Sequence, residues 1–409
     1  MIYCDSSLTQ ISLQVIIIPR ICINSQFLPL FAAKKIVLGS FQAPDNSVCI
    51  PVSEACGRIL AEPVYSNRTN PPVVLSGPDG IAVKSGETIG AGPDNRIELN
   101  APRVNTGMPM PEGFDAVIQV EEVIEVSENR YRIHTPVSPF QNTIPCGVDM
   151  VKGDVVLDKG HHIIPFDIGA LLTYGVRDVM VKDWRIGLIA TGDEVVPPNK
   201  IPLPGQIIDS NSSMIGAYLK QYGITPVFFP IVPDDPASMA QELQNISKTC
   251  DMVLIFGGSS AGSKDYTVDA LEESGTLLFH GVGMAPGKPV SLAQVNGKPV
   301  IGMPGPSIGS LTALHVLLYP LLRQWGVPIP PDTYVRGELT ESIASFDGFD
   351  MFLMMHVHQN DGKTRITPVE RKFGQMMGVR ADAVLHVGSA SYAEGQEVEV
   401  RMIRSRFSA

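Results

Sequence analysis

The run Asp251–Asp265, DMVLIFGGSSAGSKD, constrains this chain more than any other stretch, because an unbroken apolar segment opens directly onto a glycine-rich turn. Residues Met252–Phe256 suit a short strand buried on both faces, as in parallel sheets covered by helices. Gly257, Gly258 and Gly262 permit close backbone approach and dihedrals that other residues resist. Ser259, Ser260 and Ser263 add hydroxyls, and Lys264 places a cation beside Asp265. Such a turn serves equally as an anion cradle or as a plain structural turn, and the run alone leaves both readings open.

The surroundings repeat the pattern. Trp184–Ala190 reads as a strand that ends at the polar Thr191, Gly192, Asp193 and Glu194. After a Pro/Gly-rich loop over 197–205, Asn211 is placed to cap a helix carrying Met214, Ala217, Tyr218 and Tyr222 on one face. Thr225–Phe229, Asp235–Ile246, Pro299–Met303 and Ile308–Leu322 continue the alternation. Residues 183–327 are therefore expected to form an open parallel α/β domain, with ligands bound outside the carboxyl ends of its strands. Upstream, the short runs Arg96–Leu99, Ala116–Gln119, Tyr131–His134 and Asp154–Leu157, separated by Gly, Pro and Asn, predict an inserted β-rich domain over 71–164. A helical linker region of 1–70 plus 165–182 would flank it, with helices at Pro51–Pro63 and Pro165–Tyr174. Phe352–His358, Arg365–Pro368, Ala383–Val387 and Glu397–Met402 predict a compact C-terminal β-barrel over 328–409. The fold class is multidomain α/β.

A net charge of −11 without a dense Lys/Arg block argues against nucleic acid as a partner. The six cysteines form no CxxC pair, which points to a reducing, cytoplasmic setting. Leu13–Leu38 is apolar, but Arg20, Asn24, Gln26, Lys34 and Lys35 interrupt it, so no membrane span is expected. Cys146, His161–His162, His356 and His358 lack recognisable metal-ligand spacing and read as structural or surface residues.

Four polar turns fall at successive strand ends: Thr191–Glu194, Gly257–Asp265, Pro286–Pro289 and Pro304–Ser307. In the second half of this set, Pro286, Gly287, Lys288 and Pro289 make a stiff turn whose lysine either holds an anion or faces solvent. Asp193, Glu194, Asp251 and Asp265 would repel an anionic ligand unless a divalent cation such as Mg2+ lay between them. Glu194, Asp251 and Asp265 are accordingly the candidate metal ligands, although Asp251 precedes its strand and fits a cap at the far end as well. Asp79 before Gly80 and Thr106 before Gly107 fit turns as readily as a binding site.

Together these motifs carry a resemblance. TGDE at Thr191–Glu194, GGSSAG at 257–262, DYT at Asp265–Thr267, PGKP at Pro286–Pro289, MPG at Met303–Gly305 and GQIIDSN at Gly205–Asn211 are joined by PDGIAV at Pro78–Val83 and NTGMPMPEGFDAV at Asn105–Val117. From Pro51 to the C-terminus the chain resembles the MoeA or gephyrin E-domain family of molybdopterin molybdenumtransferases. The resemblance implies an α/β domain similar to the MogA fold, and a reaction of molybdate with adenylylated molybdopterin that is assisted by Mg2+ and releases AMP. It also implies a homodimer, with a cofactor-accepting enzyme as a further partner. Asp79 and Thr106 of one subunit would face the pocket of the other, where Glu194, Asp265 and Lys288 lie, and these five would be catalytic. Thr191, Gly192, Asp193, Gly257, Gly258, Ser259, Ser260, Gly262, Pro286, Gly287, Lys288, Pro304, Gly305 and Ser307 would hold the pterin nucleotide.

The chain departs from the family pattern at several of these places. Ile81 stands where MDGYA has tyrosine, Pro306 where PGNPVSA has asparagine, Ile144 where NxRxxGxD has arginine, and 372–377 where a Gly/Ser-rich loop is usual. The alternative reading is a noncatalytic molybdopterin-binding carrier, sensor or assembly partner.

Overall fold

A computed structural model describes residues 27–257, 266–360, 362–370 and 374–404. The central sheet of the α/β region comprises β1 (Arg185–Ala190), β2 (Thr225–Phe228), β3 (Met252–Phe256), β4 (Thr276–His280), β5 (Ser291–Val295) and β6 (Lys298–Met303). Their order is β2-β1-β3-β6-β5-β4. β3 is buried along its whole length, as an unbroken apolar run demands of a strand covered on both faces. The helices α1 (Ser210–Lys220), α2 (Pro236–Thr249) and α3 (Tyr266–Ser274) connect these strands. Asp235 caps α2 by accepting from Ser238 N at 2.9 Å, with Pro236 in the first turn, where its missing N–H costs nothing.

Two expectations are corrected here. The cap of α1 is Asp209, whose Oδ1 accepts from Ser212 N at 3.0 Å, while Asn211 lies inside the helix and turns its amide to another loop. The sheet is also mixed: β2, β1, β3 and β6 are parallel, but β5 runs antiparallel to both β6 and β4. The cause is legible. Asn296 and Gly297, at φ 50° and 77°, form a two-residue turn between β5 and β6, and paired left-handed residues suit the twist of such a hairpin. Because β5 is reversed, Ser291 lies opposite Gly302 at the end of β6. The loop before β5 thus joins the carboxyl edge of the parallel strands.

The helix expected over Ile308–Leu322 runs from α4 (Ser307–Ala313) through a π turn at Leu314–Leu318 into α5 (Tyr319–Gln324). Pro320 accounts for the widened turn, since it lacks an N–H and its ring would crowd the carbonyl of Val316 in a regular helix. The π turn carries His315, half-buried against Tyr319 with ring centroids 4.8 Å apart. Burial, reinforced by Arg401 and Arg323, pushes the imidazole down to about 3. The neutral ring accepts a hydrogen bond from Arg401 Nη1 at 3.1 Å. On unfolding it regains the ordinary value of 6.5, so the unfolded chain binds the extra proton. Its contribution to stability is therefore full above about pH 6.5 and is lost as pH falls toward 3. A His315→Asn variant is expected to flatten this part of the pH dependence of the urea midpoint; a curve parallel to wild type would contradict the assignment.

Upstream, Ser47–Pro51 pairs antiparallel with Asp178–Lys182, so the chain leaves and returns at one place. The helix expected at Pro51–Pro63 is reduced to a 3-10 turn, Val52–Glu54, followed by isolated bridges from Ile59 to His162 and Leu60 to Val181. Gly57, at φ 79°, ends any helical path there. The second expected helix forms at Pro165–Thr173. Between them lie two three-stranded antiparallel sheets: Gly80–Val83 with Arg103–Val104 and Ala116–Gln119, and Ile97–Asn100 with Val123–Ser127 and Arg130–Ile133.

The C-terminal strands Tyr334–Leu339, Asp350–Asn360, Lys363–Pro368, Ala383–Val387 and Glu397–Met402 close into a barrel, because Asp350–Asn360 pairs with both Lys363–Pro368 and Ala383–Val387. Met284–Ala285 adds to it by parallel pairing with Asp350 and Met351, which seats the barrel beside the loop before β5. Among the described residues no helix is long and apolar enough to cross a membrane. The part of the apolar segment before residue 27 lies outside the described residues, and helix formation begins at Leu30.

Candidate functional site

The ends of β1, β3 and β6 are tied together by backbone contacts that leave little room for side chains. Thr191 N donates to Phe256 O at 2.8 Å, and Thr267 Oγ1 donates to Gly257 O at 3.1 Å. Gly257 sits at φ 108°, and a Cβ there would stand 2.2 Å from Thr191 O. Glycine is the residue that satisfies both the left-handed dihedral and the close approach. Thr191 Oγ1 also donates to Asp234 Oδ1 at 3.1 Å, drawing the start of α2 to the same edge. Asn211 Nδ2 donates to Gly305 O at 2.7 Å, and Ser310 Oγ to Pro304 O at 2.6 Å, fixing the turn that begins α4.

These loops surround a cavity of about 840 Å3. Glu194, Asp209, Asn211, Asp234, Gly257 and Ser307 supply much of its polar lining, with Ile207, Ile208, Phe256 and Tyr266 among its apolar walls. Of the three carboxylates, Asp209 caps α1 and Asp234 accepts from Thr191, whereas that of the exposed Glu194 has no hydrogen-bond partner among the described residues. The described lining contains no Lys, Arg or His. Among the described residues, no group of three His, Cys, Asp or Glu could hold a metal. Mg2+ does not require one: it commonly takes one or two carboxylates and completes its shell with water and substrate phosphate. Glu194, with Asp234 on the same cavity, fits that donor chemistry.

The candidate residues divide as follows. Glu194, Gly257, Gly305 and Ser307 line the cavity, while Thr191, Gly192 and Pro304 build its walls from behind. Asp193 is exposed beside Glu194. Gly258, Ser259, Ser260, Gly262 and Asp265 lie outside the described residues. Pro286 and Ser307 both line a neighbouring cavity, and Gly287, at φ 121°, lies close to Gly309 of α4.

Lys288 departs from its expected place. It is exposed, its ammonium stands 4.1 Å from the centroid of the Phe27 ring, and it does not line the first cavity. A cation over an aromatic face is held by the ring quadrupole, which supplies the physical reason.

Asp251 is a clearer correction. It precedes β3, at the edge of the sheet opposite the cavity, and is 1% exposed. It accepts from Asn46 Nδ2 at 2.7 Å, Arg185 N at 2.9 Å and Lys298 Nζ at 3.2 Å, so it locks strand starts together and is no metal ligand of this cavity. Asp251→Ala is expected to cost about 3 kcal/mol, because it removes the buried acceptor of a backbone N–H, the Asn46 amide and the half-buried Lys298 ammonium at once. Equilibrium unfolding measures this, and a stability within about 0.5 kcal/mol of wild type would contradict it.

Asp79 and Thr106 are brought together: Asp79 Oδ1 accepts from Thr106 N at 2.8 Å and from its hydroxyl at 3.2 Å. Both are exposed, and no residue of 71–164 lines the cavity of the same chain. Asp209, Asp234, Tyr266 and Gln375 were not anticipated. The Asp234-Asp235-Pro236 run was the available signal for one of them, since only one of two successive acids caps α2 and the other is left for the adjoining edge.

Residues 28–175 match the family model for the MoeA N-terminal region, domains I and II, and residues 187–324 match that for a probable molybdopterin binding domain. A putative molybdopterin biosynthesis protein of Methanocaldococcus jannaschii is 32% identical over 314 residues, 71% of this chain and 79% of that protein. The chain belongs to the MoeA family. Another MoeA-family relative, the molybdopterin molybdenumtransferase of Bacillus subtilis, is 28% identical over 393 residues, covering 89% of this chain and 91% of its own. The fold agrees with two crystal structures of the molybdopterin biosynthesis MoeA protein from Pyrococcus horikoshii. Their TM-scores are 0.76 and 0.65, at 28% and 26% identity, over 93% and 92% of this chain and 100% of each of theirs. In this MoeA-family chain, Asp79 and Thr106 fall within the first family match, and Glu194, Gly257 and Ser307 within the second.

Proposed function

We propose that this chain joins molybdate to adenylylated molybdopterin and releases AMP, with Mg2+ as cofactor. The observation that carries the reading is the cavity at the carboxyl edge of β1, β3 and β6, where Glu194 presents an unpartnered carboxylate beside the turn that opens α4. The naming of the Bacillus subtilis relative as a molybdopterin molybdenumtransferase supports the substrate class. In the reaction the anhydride link to AMP breaks as a water oxygen joins phosphorus, and the two dithiolene sulfurs become bonded to molybdenum as one molybdate oxygen leaves as water with the two thiol protons.

The chain's own groups divide the work. Glu194 would hold the metal, with Asp234 as a second carboxylate on the same cavity. Gly257 keeps the backbone close to the ligand, and Ser307 offers its hydroxyl at the turn before α4. Asn211 fixes that turn through Gly305, so little reorganisation is needed as charge develops on phosphate. When bound there, Mg2+ would offset phosphate charge. Asp79 and Thr106, already paired, would complete the site from a second copy of the chain in a homodimer.

A binding-only reading draws support from Lys288, which contributes no positive charge to the cavity lining. One experiment separates the two. Purified protein is incubated with adenylylated molybdopterin, Mg2+ and molybdate, and AMP and pterin-bound molybdenum are followed together. Equal amounts of both products are expected; pterin binding without AMP release would establish the carrier reading instead.

A further inference from the structure

A second cavity of about 1120 Å3 opens between the start of α4 and the C-terminal barrel. Ile308, Phe346, Phe352, Met354 and Met377 are among its apolar walls, and its charged lining groups among the described residues, Glu341 and Glu370, are both acidic. Glu341 is exposed, and its carboxylate has no partner among the described residues. Apolar surface continues outward at Phe346 and, on the helix that carries Met377, at Met376 and Val379, each more than half exposed. Exposed apolar patches of this kind mark binding surfaces.

The first described residue, Phe27, lies beside this cavity. Its ring stands 5.5 Å from that of Phe349, whose N–H donates to Phe346 O at 3.1 Å, and the Lys288 ammonium over it is two residues from Pro286 of the cavity lining. Leu28 N donates to Gly281 O at 3.2 Å and Gly283 N to Leu28 O at 2.8 Å, which pins the chain here to the loop before β5. The sequence just upstream complements the cavity. Val15, Ile16, Ile17, Ile18 and Pro19 form an unbroken apolar run, and Arg20, directly after it, is the one Lys or Arg of residues 1–26. The chain from Arg20 to Phe27 can span up to about 25 Å, enough to bring that run over the cavity mouth.

We propose that residues 15–20 of this chain cover its own second cavity, the apolar run lying against the apolar walls and Arg20 pairing with Glu341. Burial of apolar side chains supplies the affinity. The ion pair, at an exposed rim, sets the direction of the segment more than it adds strength. Residues 15–20 are then a built-in competitor, and any ligand of this cavity must displace them. The inference stands apart from the transferase reading of the first cavity.

The test places the photoreactive amino acid p-benzoylphenylalanine at Ile17 of the full chain, irradiates the protein and identifies the crosslinked peptides by mass spectrometry. Crosslinks within one chain to the cavity lining are expected, with Met354 and Met377 foremost because the excited ketone reacts readily beside sulfur. Ala344→Trp, which fills the cavity from its exposed rim, is expected to lower their yield about fivefold or more. Arg20→Glu is expected to lower it about threefold, and Glu341→Arg added to Arg20→Glu to restore it, a rescue that misfolding could not produce. Crosslinks to another face, crosslinked dimers or no crosslink would overturn the proposal, as would a yield that neither Ala344→Trp nor Arg20→Glu changes.

Discussion

Glu194→Gln is expected to lower molybdate-dependent AMP release by about 100-fold or more at saturating Mg2+, the scale associated with losing a group that fixes a metal or developing charge. The exposed Glu194 carboxylate accepts no hydrogen bond from the described residues, so its replacement removes charge without stranding a partner. Folding should be unaffected. The discriminating readout is the Mg2+ concentration for half-maximal activity, which should rise steeply in the variant. A wild-type rate with an unchanged Mg2+ requirement would show that the metal is held elsewhere.

The second large effect is on stability. Gly257→Ala would place a methyl group 2.2 Å from Thr191 O while forcing a φ of 108° on a residue with a side chain. Neither atom can give way cheaply, because Thr191 is bound to Phe256 on one side and Asp234 on the other. Cost is expected at about 3 kcal/mol or more, since strain and a backbone clash combine. Both tryptophans, Trp184 and Trp325, are buried in the core around the central sheet, so urea unfolding followed by tryptophan fluorescence reports on this region rather than on the inserted sheets or the barrel. A variant within about 0.5 kcal/mol of wild type would contradict the close-packed account of the turn.

Much of the architecture could be read from local pattern. The run Met252–Phe256 announced a fully buried strand, and the alternation around it announced the helices between parallel strands. Even the antiparallel edge had a local signal in Asn296-Gly297, overlooked because the surrounding alternation favoured an all-parallel sheet. The cavity lining was legible where a residue's place follows from a strand end, as for Glu194 and Gly257. It was illegible where a side chain answers to a distant partner. Lys288 stands over Phe27, and Asp251 is satisfied by Asn46, Arg185 and Lys298, contacts that no motif spacing encodes. Gln375 likewise gains its place from Ser210, 165 positions away in the chain.

The most direct measurement is anomalous diffraction from crystals soaked with AMP and Mn2+ in place of Mg2+. The account predicts a manganese peak beside Glu194, with the nucleotide phosphate in the cavity bordered by Gly257 and Ser307. A nucleotide bound away from that cavity, or manganese seated without Glu194, would contradict it.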